Sequence, residues 1–287
     1  MNFNLVFKNY LNKVFLEKKE ETFNCYSSHI KAIKKVLLKY NINDSDEVDE
    51  SFYLKFIDYF KRNKCCNRTI NKRMTIFKSA CKYSDVYYSF FEYPKLKESF
   101  KRFHTIEEED LKKIVNYIYK LSDDDLIQLN DKAVLLLLLD TGVRSKELIN
   151  IENVNIDFNN NSILLTTTKT DAQRLVFFNK YTAEVLKKLF KVNKKNKYLL
   201  FNFRKNTEYT YRCLTCLLTK IKNELNINLL HPHMFRHTFA TNLIDREAPV
   251  VMVQMLMGHS SVRTTQNYIH LSEKRLKKCY NDYANYY

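Results

Sequence analysis

Two glycines and three prolines in 287 residues leave this chain few of the residues that permit left-handed turns or force a helix to stop. A mostly helical fold with few tight turns follows. Both glycines stand where a helix should end. Ala133 to Ile151 reads AVLLLLLDTGVRSKELINI. A buried apolar helix here would end at Asp140-Thr141-Gly142, with Gly142 in the left-handed region and Arg144 emerging just after it. Glu147, three residues on, is spaced to orient that guanidinium. A second helix, Pro249 to Met257, has proline in its first turn and Gly258 as its stop.

The segment before and after that second helix gathers five of the seven histidines, His231, His233, His237, His259 and His270. Phe235, Phe239 and Leu243 recur every fourth residue, with Ala240 and Ile244 beside them, which gives a helix with a broad apolar face. Arg236 projects into that arc. A guanidinium keeps its charge and is costly to bury alone, so Arg236 requires an anion from the protein or from a ligand. His233 lies one turn back on the same side. Gly258-His259 comes 22 residues after Arg236, and Tyr268 comes nine after His259. In order and distance, this His-x-x-Arg, Gly-His and Tyr pattern resembles the catalytic domain of the tyrosine recombinase and integrase family. Thr141-Gly142-Val143-Arg144-x-x-Glu147 is similar to the context of that family's first catalytic arginine.

Composition fits such a partner. A net charge of +16 favours a polyanion over a small neutral substrate. Seven cysteines in irregular places do not form a disulfide framework, and Cys213-x-x-Cys216 lacks the second pair or histidines that a zinc site needs. Reduced thiols and a cytoplasmic location are expected. No run of about 18 apolar residues exists to span a membrane, and no cleavable signal pattern opens the chain. There is no G-x-x-x-x-G-K-[ST] loop, and Asp123 to Asp125 read as a solvated turn.

Apolar periodicity predicts four helices near the N-terminus, over Phe3–Phe15, Phe23–Tyr40, Val48–Phe60 and Thr69–Phe90, with polar breaks such as Asn41 to Asp46. Lys31, Lys34 and Lys35, and separately Arg68, Lys72 and Arg73, place positive charge on helix faces that could follow a phosphate backbone or simply be solvated. The resemblance implies that residues 1–93 form a helical core-binding domain that clamps the far side of the duplex. Residues 94–104, around Pro94, read as a linker. Thr105 to Glu108 reads as a capping box opening the next helix, and residues 105–287 as the catalytic domain. Within it, SILLTTT at Ser162–Thr168 and RLVFF at Arg174–Phe178 predict two strands of a small antiparallel sheet. Helices are expected over Thr182–Lys191 and Tyr209–Leu225, with a strand-like Tyr198–Phe203 between them. The fold class is thus mainly α with a small antiparallel sheet. In the tail, Leu276, Cys279, Tyr280 and Tyr283 share a helical face; the resemblance implies docking on a neighbouring subunit, and packing within the same chain is the alternative.

The chemistry follows from what a phosphodiester needs. Attack by an oxygen nucleophile loads negative charge onto the non-bridging oxygens, which the planar forks of Arg144 and Arg236 suit, with His259 a further donor. Tyr268 is the expected nucleophile; its phenol, with a reference pKa of about 10, must lose a proton during attack. His233 either accepts that proton or holds the phosphate. The family places a catalytic lysine on a hairpin, which Lys169 matches best, with Lys180 the alternative; it would protonate the leaving 5′ oxygen. His231 and His237 read as packing or capping residues. A 3′-phosphotyrosyl link would store the bond energy, so neither metal, ATP nor another cofactor is expected. The resemblance implies a site-specific DNA recombinase on the two-domain Xer-type plan, acting on a double-stranded recombination site as a dimer per site and a tetramer at synapsis. A type IB topoisomerase-like relaxing activity and a non-catalytic DNA-binding descendant of a recombinase are the alternatives.

Overall fold

The computed structural model describes residues 1–98, 104–166, 173–258 and 280–282. The chain divides into two compact units, Met1–Lys101 and Arg102–Tyr287.

The first unit is built from α1 (Phe3–Glu17), α2 (Glu20–Lys39), α3 (Ser51–Arg62) and α4 (Asn67–Tyr83). Its core is aromatic. Phe52, Phe56 and Phe60 recur every fourth residue on α3 and are all buried, and the ring of Phe77 lies 5.6–6.2 Å from those of Phe3, Phe52, Phe56 and Phe91. Fully burying such a ring contributes about 1.5–3 kcal/mol. The fourth helix is shorter than periodicity predicts, stopping at Tyr83 instead of Phe90. Asp85 takes a left-handed φ of 56°, and Val86 N–H donates back to the Cys81 carbonyl at 2.9 Å, a glycine-free helix stop. Phe90 and Phe91 still reach the core, from a separate 3-10 turn over Ser89–Glu92.

The second unit is organised around α6 (Leu126–Thr141), which follows α5 (Glu108–Lys120). Lys132 to Thr141 are all buried, so the C-terminal part of α6 has no solvent face, as expected where a helix is apolar all round. After α7 (Ser145–Ile149), β1 (Ile156–Asp157), β2 (Ser162–Thr166) and β3 (Gln173–Phe177) form one antiparallel sheet in the order β1-β2-β3. Leu165 pairs with Arg174 and Ile163 with Val176. Then come α8 (Lys180–Asn193), a two-stranded ribbon of β4 (Phe201–Asn202) and β5 (Thr207–Glu208), α9 (Tyr211–Glu224), α10 (Pro232–Asp245) and α11 (Val250–Met257). Asp140, near the end of α6, is fully buried. It accepts hydrogen bonds from Asn179 N, Asn179 Nδ2 and Thr182 Oγ1 at 2.7–3.1 Å, which pins the start of α8 to α6.

Two local expectations are corrected here. The N-cap of α5 is Glu107, not Thr105, and no side chain caps it. Ile106 is buried and its N–H donates to Thr238 Oγ1 on α10 at 2.8 Å, so a tertiary bond replaces the capping box. Nor is the acidic turn at Asp123 simply solvated. Its carboxylate receives Lys132 at 2.5 Å and Lys188 at 2.7 Å, and buried Lys132 requires that partner. Asp125 caps α6, accepting from Ile127 N and Gln128 N.

Candidate phosphate-binding site

Gly142 terminates α6 at φ 55°, and a Cβ there would lie 2.7 Å from Phe239 of α10. Only glycine satisfies both the backbone and the contact. That close approach brings α10 against the turn that carries Arg144. Arg144 occupies the N-cap position of α7, where its own N–H donates to Glu147 Oε2 and its Nη1 to Glu147 Oε1, each at 2.7 Å. The carboxylate therefore fixes both the backbone and the fork of one arginine.

Arg236, on α10, is only 5% exposed. Its Nη1 donates to the Gly142 carbonyl at 2.8 Å and its Nη2 to the Met257 carbonyl. Arg144 Nη2 donates to the next carbonyl, Gly258, at 2.7 Å. The two arginines thus meet at the C-terminal end of α11, where unpaired carbonyls and the helix dipole attract cations. Gly258 closes that helix at φ 59°.

A third guanidinium, absent from the residues picked out by motif, completes the cluster. Arg174 of β3 donates through Nη2 to Glu147 Oε2 at 2.7 Å and through Nη1 to the Leu256 carbonyl. The signal for it was available in the strand pattern. A period of two puts Arg174 on the same face as buried Val176, an unusual position for a charge unless it is paired.

Among the described residues the cluster is short of negative charge: three guanidiniums surround one carboxylate, an excess of two positive charges. Burial pushes the Glu147 carboxyl up, but Arg174 and the hydrogen bonds from Arg144 and Arg174 outweigh it and hold the carboxyl below its usual range. Burial, then the charges of Arg144 and Arg174, pull Arg236 down to about 9, with Glu147 opposing. Arginine does not deprotonate in proteins; the displacement instead expresses a demand for an anion.

His233 lies exposed on α10, one turn before Arg236. Its ring is 6.4 Å from that of His231 and 6.5 Å from that of His237. Lys169, His259 and Tyr268 lie outside the described residues. Lys180, the alternative lysine, is the first residue of α8 and is exposed. In the first unit, Lys31, Lys35 and Lys72 are exposed, whereas Lys34 donates to Asn4, Arg68 pairs with Glu98, and Arg73 lies over the Phe60 ring and donates to Cys65 Sγ. The basic face of α4 packs close to α2, where burial, then Lys72 and Arg73, push the His29 imidazole below its usual value. Of the tail residues, Leu276, Cys279 and Tyr283 lie outside the described residues. Tyr280 is buried within this chain, its ring 5.7 Å from that of Phe177.

Residues 104–275 match the phage integrase family, and residues 2–84 match the phage integrase SAM-like domain. The chain belongs to the phage integrase family of tyrosine recombinases. This recombinase is 29% identical over 287 residues to a probable integrase/recombinase of Acholeplasma phage L2, covering 99% of this chain and 98% of that protein. It is 34% identical to tyrosine recombinase XerA of Saccharolobus solfataricus over 178 residues, 62% of this chain and 55% of XerA. With tyrosine recombinase XerC of Staphylococcus aureus the figures are 33% over 170 residues, 57% of this chain and 56% of XerC. These last two matches thus span just over half the length of either relative. In fold the recombinase resembles XerH bound to its difH substrate before cleavage, with a TM-score of 0.68 and 20% identity over 91% of this chain and 81% of that one. It also resembles the Tn1549 transposon integrase in complex with circular intermediate DNA, at 0.70 and 18% over 95% and 98%.

Proposed function

We propose that this tyrosine recombinase cuts and rejoins DNA at a specific site through a covalent 3′-phosphotyrosyl intermediate. The observation that carries the reading is the convergence of Arg144 and Arg236 on one turn, with Glu147 the only carboxylate among the described residues to pair with the three guanidiniums. A scissile phosphate supplies the missing anion, and each planar fork can hold two of its oxygens.

In this mechanism the Tyr268 phenol oxygen attacks phosphorus and the bond from phosphorus to the 5′ oxygen breaks. The phenolic proton passes to a base, for which His233 is the candidate, and Lys169 delivers a proton to the departing 5′ oxygen. Arg144, Arg236 and His259 stabilise the charge gathered on the non-bridging oxygens. The phosphotyrosyl bond keeps the energy of the broken one, so a 5′ hydroxyl reseals the strand without ATP. Residues 1–93 clamp the duplex, with Lys31, Lys34, Lys35, Arg68, Lys72 and Arg73 the candidate phosphate contacts. Residues 94–104 link to the catalytic residues 105–287. A dimer occupies each site and a tetramer forms at synapsis; because Tyr280 packs on Phe177 of its own chain, docking of the tail on a neighbour requires that contact to be exchanged.

The test is covalent capture on nicked fragments of genomic DNA, followed by sequencing of the attachment points. Adduct formation at one recurrent sequence, lost in Tyr268→Phe while duplex binding persists, is the expected result. A wild-type level of adduct from Tyr268→Phe would show the nucleophile to be another tyrosine. Relaxation of supercoils at scattered sequences without exchange between paired duplexes would favour a topoisomerase-like activity, and binding with no adduct would mark a non-catalytic DNA-binding protein.

A further inference from the structure

Arg174 ties together groups that no part of the motif pattern requires it to reach. Its guanidinium joins the carboxylate that orients Arg144 to the carbonyl of Leu256. Two residues further on, the Gly258 carbonyl accepts from Arg144 itself. The side chain is 8% exposed, and its Nε is buried without a hydrogen-bond partner among the described residues. Leaving a donor of a buried guanidinium unsatisfied is costly, and Arg174 carries that cost between β3 and α11. The stem of Arg174 also fills the space beside Gly258, where a Cβ would come within 2.6 Å of its Cδ and 2.7 Å of its Nε. Gly258 is therefore glycine for two reasons, its left-handed φ and the arginine lying against it.

From this geometry we infer that Arg174 is a positioning residue for DNA cleavage: by holding Glu147 and the end of α11 together, it sets the fork of Arg144 against the scissile phosphate. The inference rests on the strand-cleaving reading above. Arg174 and Arg144 share the Glu147 carboxylate, so the contribution of Arg174 passes through Arg144. Lysine cannot replace it, because one ammonium on a flexible stem does not span a carboxylate and a carbonyl with two parallel donors.

The experiment uses the full chain and a nicked duplex carrying the captured attachment sequence, with either a normal phosphate or a neutral methylphosphonate at the scissile position. The methylphosphonate lacks the charge that an arginine fork neutralises, so it relieves defects in that fork and leaves general damage unrelieved. Arg174→Met should slow adduct formation on phosphate about 100-fold, the scale of an angstrom-sized misplacement, with duplex affinity changed less than about threefold. On methylphosphonate its deficit relative to wild type should fall below about tenfold, as it should for Arg144→Ala, and the double variant should be no slower than Arg144→Ala alone. Arg174→Lys should show the same pattern and carries the comparison if Arg174→Met does not fold. A deficit equal on both substrates, one that multiplies with that of Arg144→Ala, or cleavage at the wild-type rate would overturn the inference. A wild-type chain that forms no adduct on either duplex would overturn the strand-cleaving reading, and this inference with it.

Discussion

Replacing Glu147 by glutamine tests the charge balance of the arginine cluster directly. The carboxylate accepts three hydrogen bonds at 2.7 Å, from Arg144 N, Arg144 Nη1 and Arg174 Nη2. Glutamine offers one carbonyl oxygen and one amide nitrogen, so whichever way it turns, an N–H faces a guanidinium or the Arg144 amide. The Arg144 side chain is 37% exposed, and water can replace part of what it loses, so its share of the cost is small. Arg174 has no such recourse. Breaking a buried ion pair from one side costs about 3–5 kcal/mol; since glutamine retains one acceptor, the lower end, about 3 kcal/mol, is the expectation. With urea m-values of about 1–3 kcal/mol/M, the unfolding midpoint of the second unit should fall by roughly 1–3 M. The chain has no tryptophan, so far-ultraviolet circular dichroism is the suitable probe. Added sulfate should recover more stability in Glu147→Gln than in wild type, because the excess of positive charge rises from two to three. The pH dependence gives a second reading. Because the folded carboxyl is held below its usual range, the unfolded chain binds more protons as pH falls below about 4.3. The Glu147 contribution is complete above that value and is lost as pH falls through the lower folded pKa, and the variant should lack this slope. An unchanged midpoint, or an acid limb identical to wild type, would refute the reasoning.

Gly258→Ala should cost about 2–4 kcal/mol in thermal unfolding, from a left-handed φ and a clash with Arg174; Gly258→Asn, which tolerates that φ, should be nearly as damaging, and full recovery would show that the close packing against Arg174 is unimportant. Burial, opposed by Lys220 and Arg204, pushes the Asp131 carboxyl up to about 6. The folded state then holds the extra proton between the ordinary aspartate value and about 6, and stability falls as pH rises through that window; Asp131→Asn should stabilise by ~1–2 kcal/mol at pH 8 and by almost nothing below pH 4, measured by urea titration at both. Removing Lys31, Lys35 and Lys72 together should weaken binding to duplexes of any sequence alike and lower the slope of log affinity against log salt by about 0.9 for each phosphate that one of these ammonium groups neutralises; weakening confined to one sequence would argue against recognition of the backbone.

Much of the fold and part of the site were written locally. The unbroken apolar run of α6 specified a buried helix. Gly142 and Gly258 specified its end and that of α11, because each stop uses a backbone geometry that few other residues accept. The i to i+3 spacing of Arg144 and Glu147 specified their pairing. Interactions between distant elements were not legible in this way. The end of α4 rests on Asp85 adopting a left-handed turn without glycine, and the start of α5 on a hydrogen bond to Thr238 in another helix. Arg174 became part of the site only because strand register turned it toward the core, where the second oxygen of Glu147 and the carbonyls closing α11 were waiting. Local sequence determined where helices begin, stop and pair their near neighbours; the choice among distant partners belonged to the tertiary structure, because it depends on which unpaired charges and carbonyls packing brings within hydrogen-bond reach.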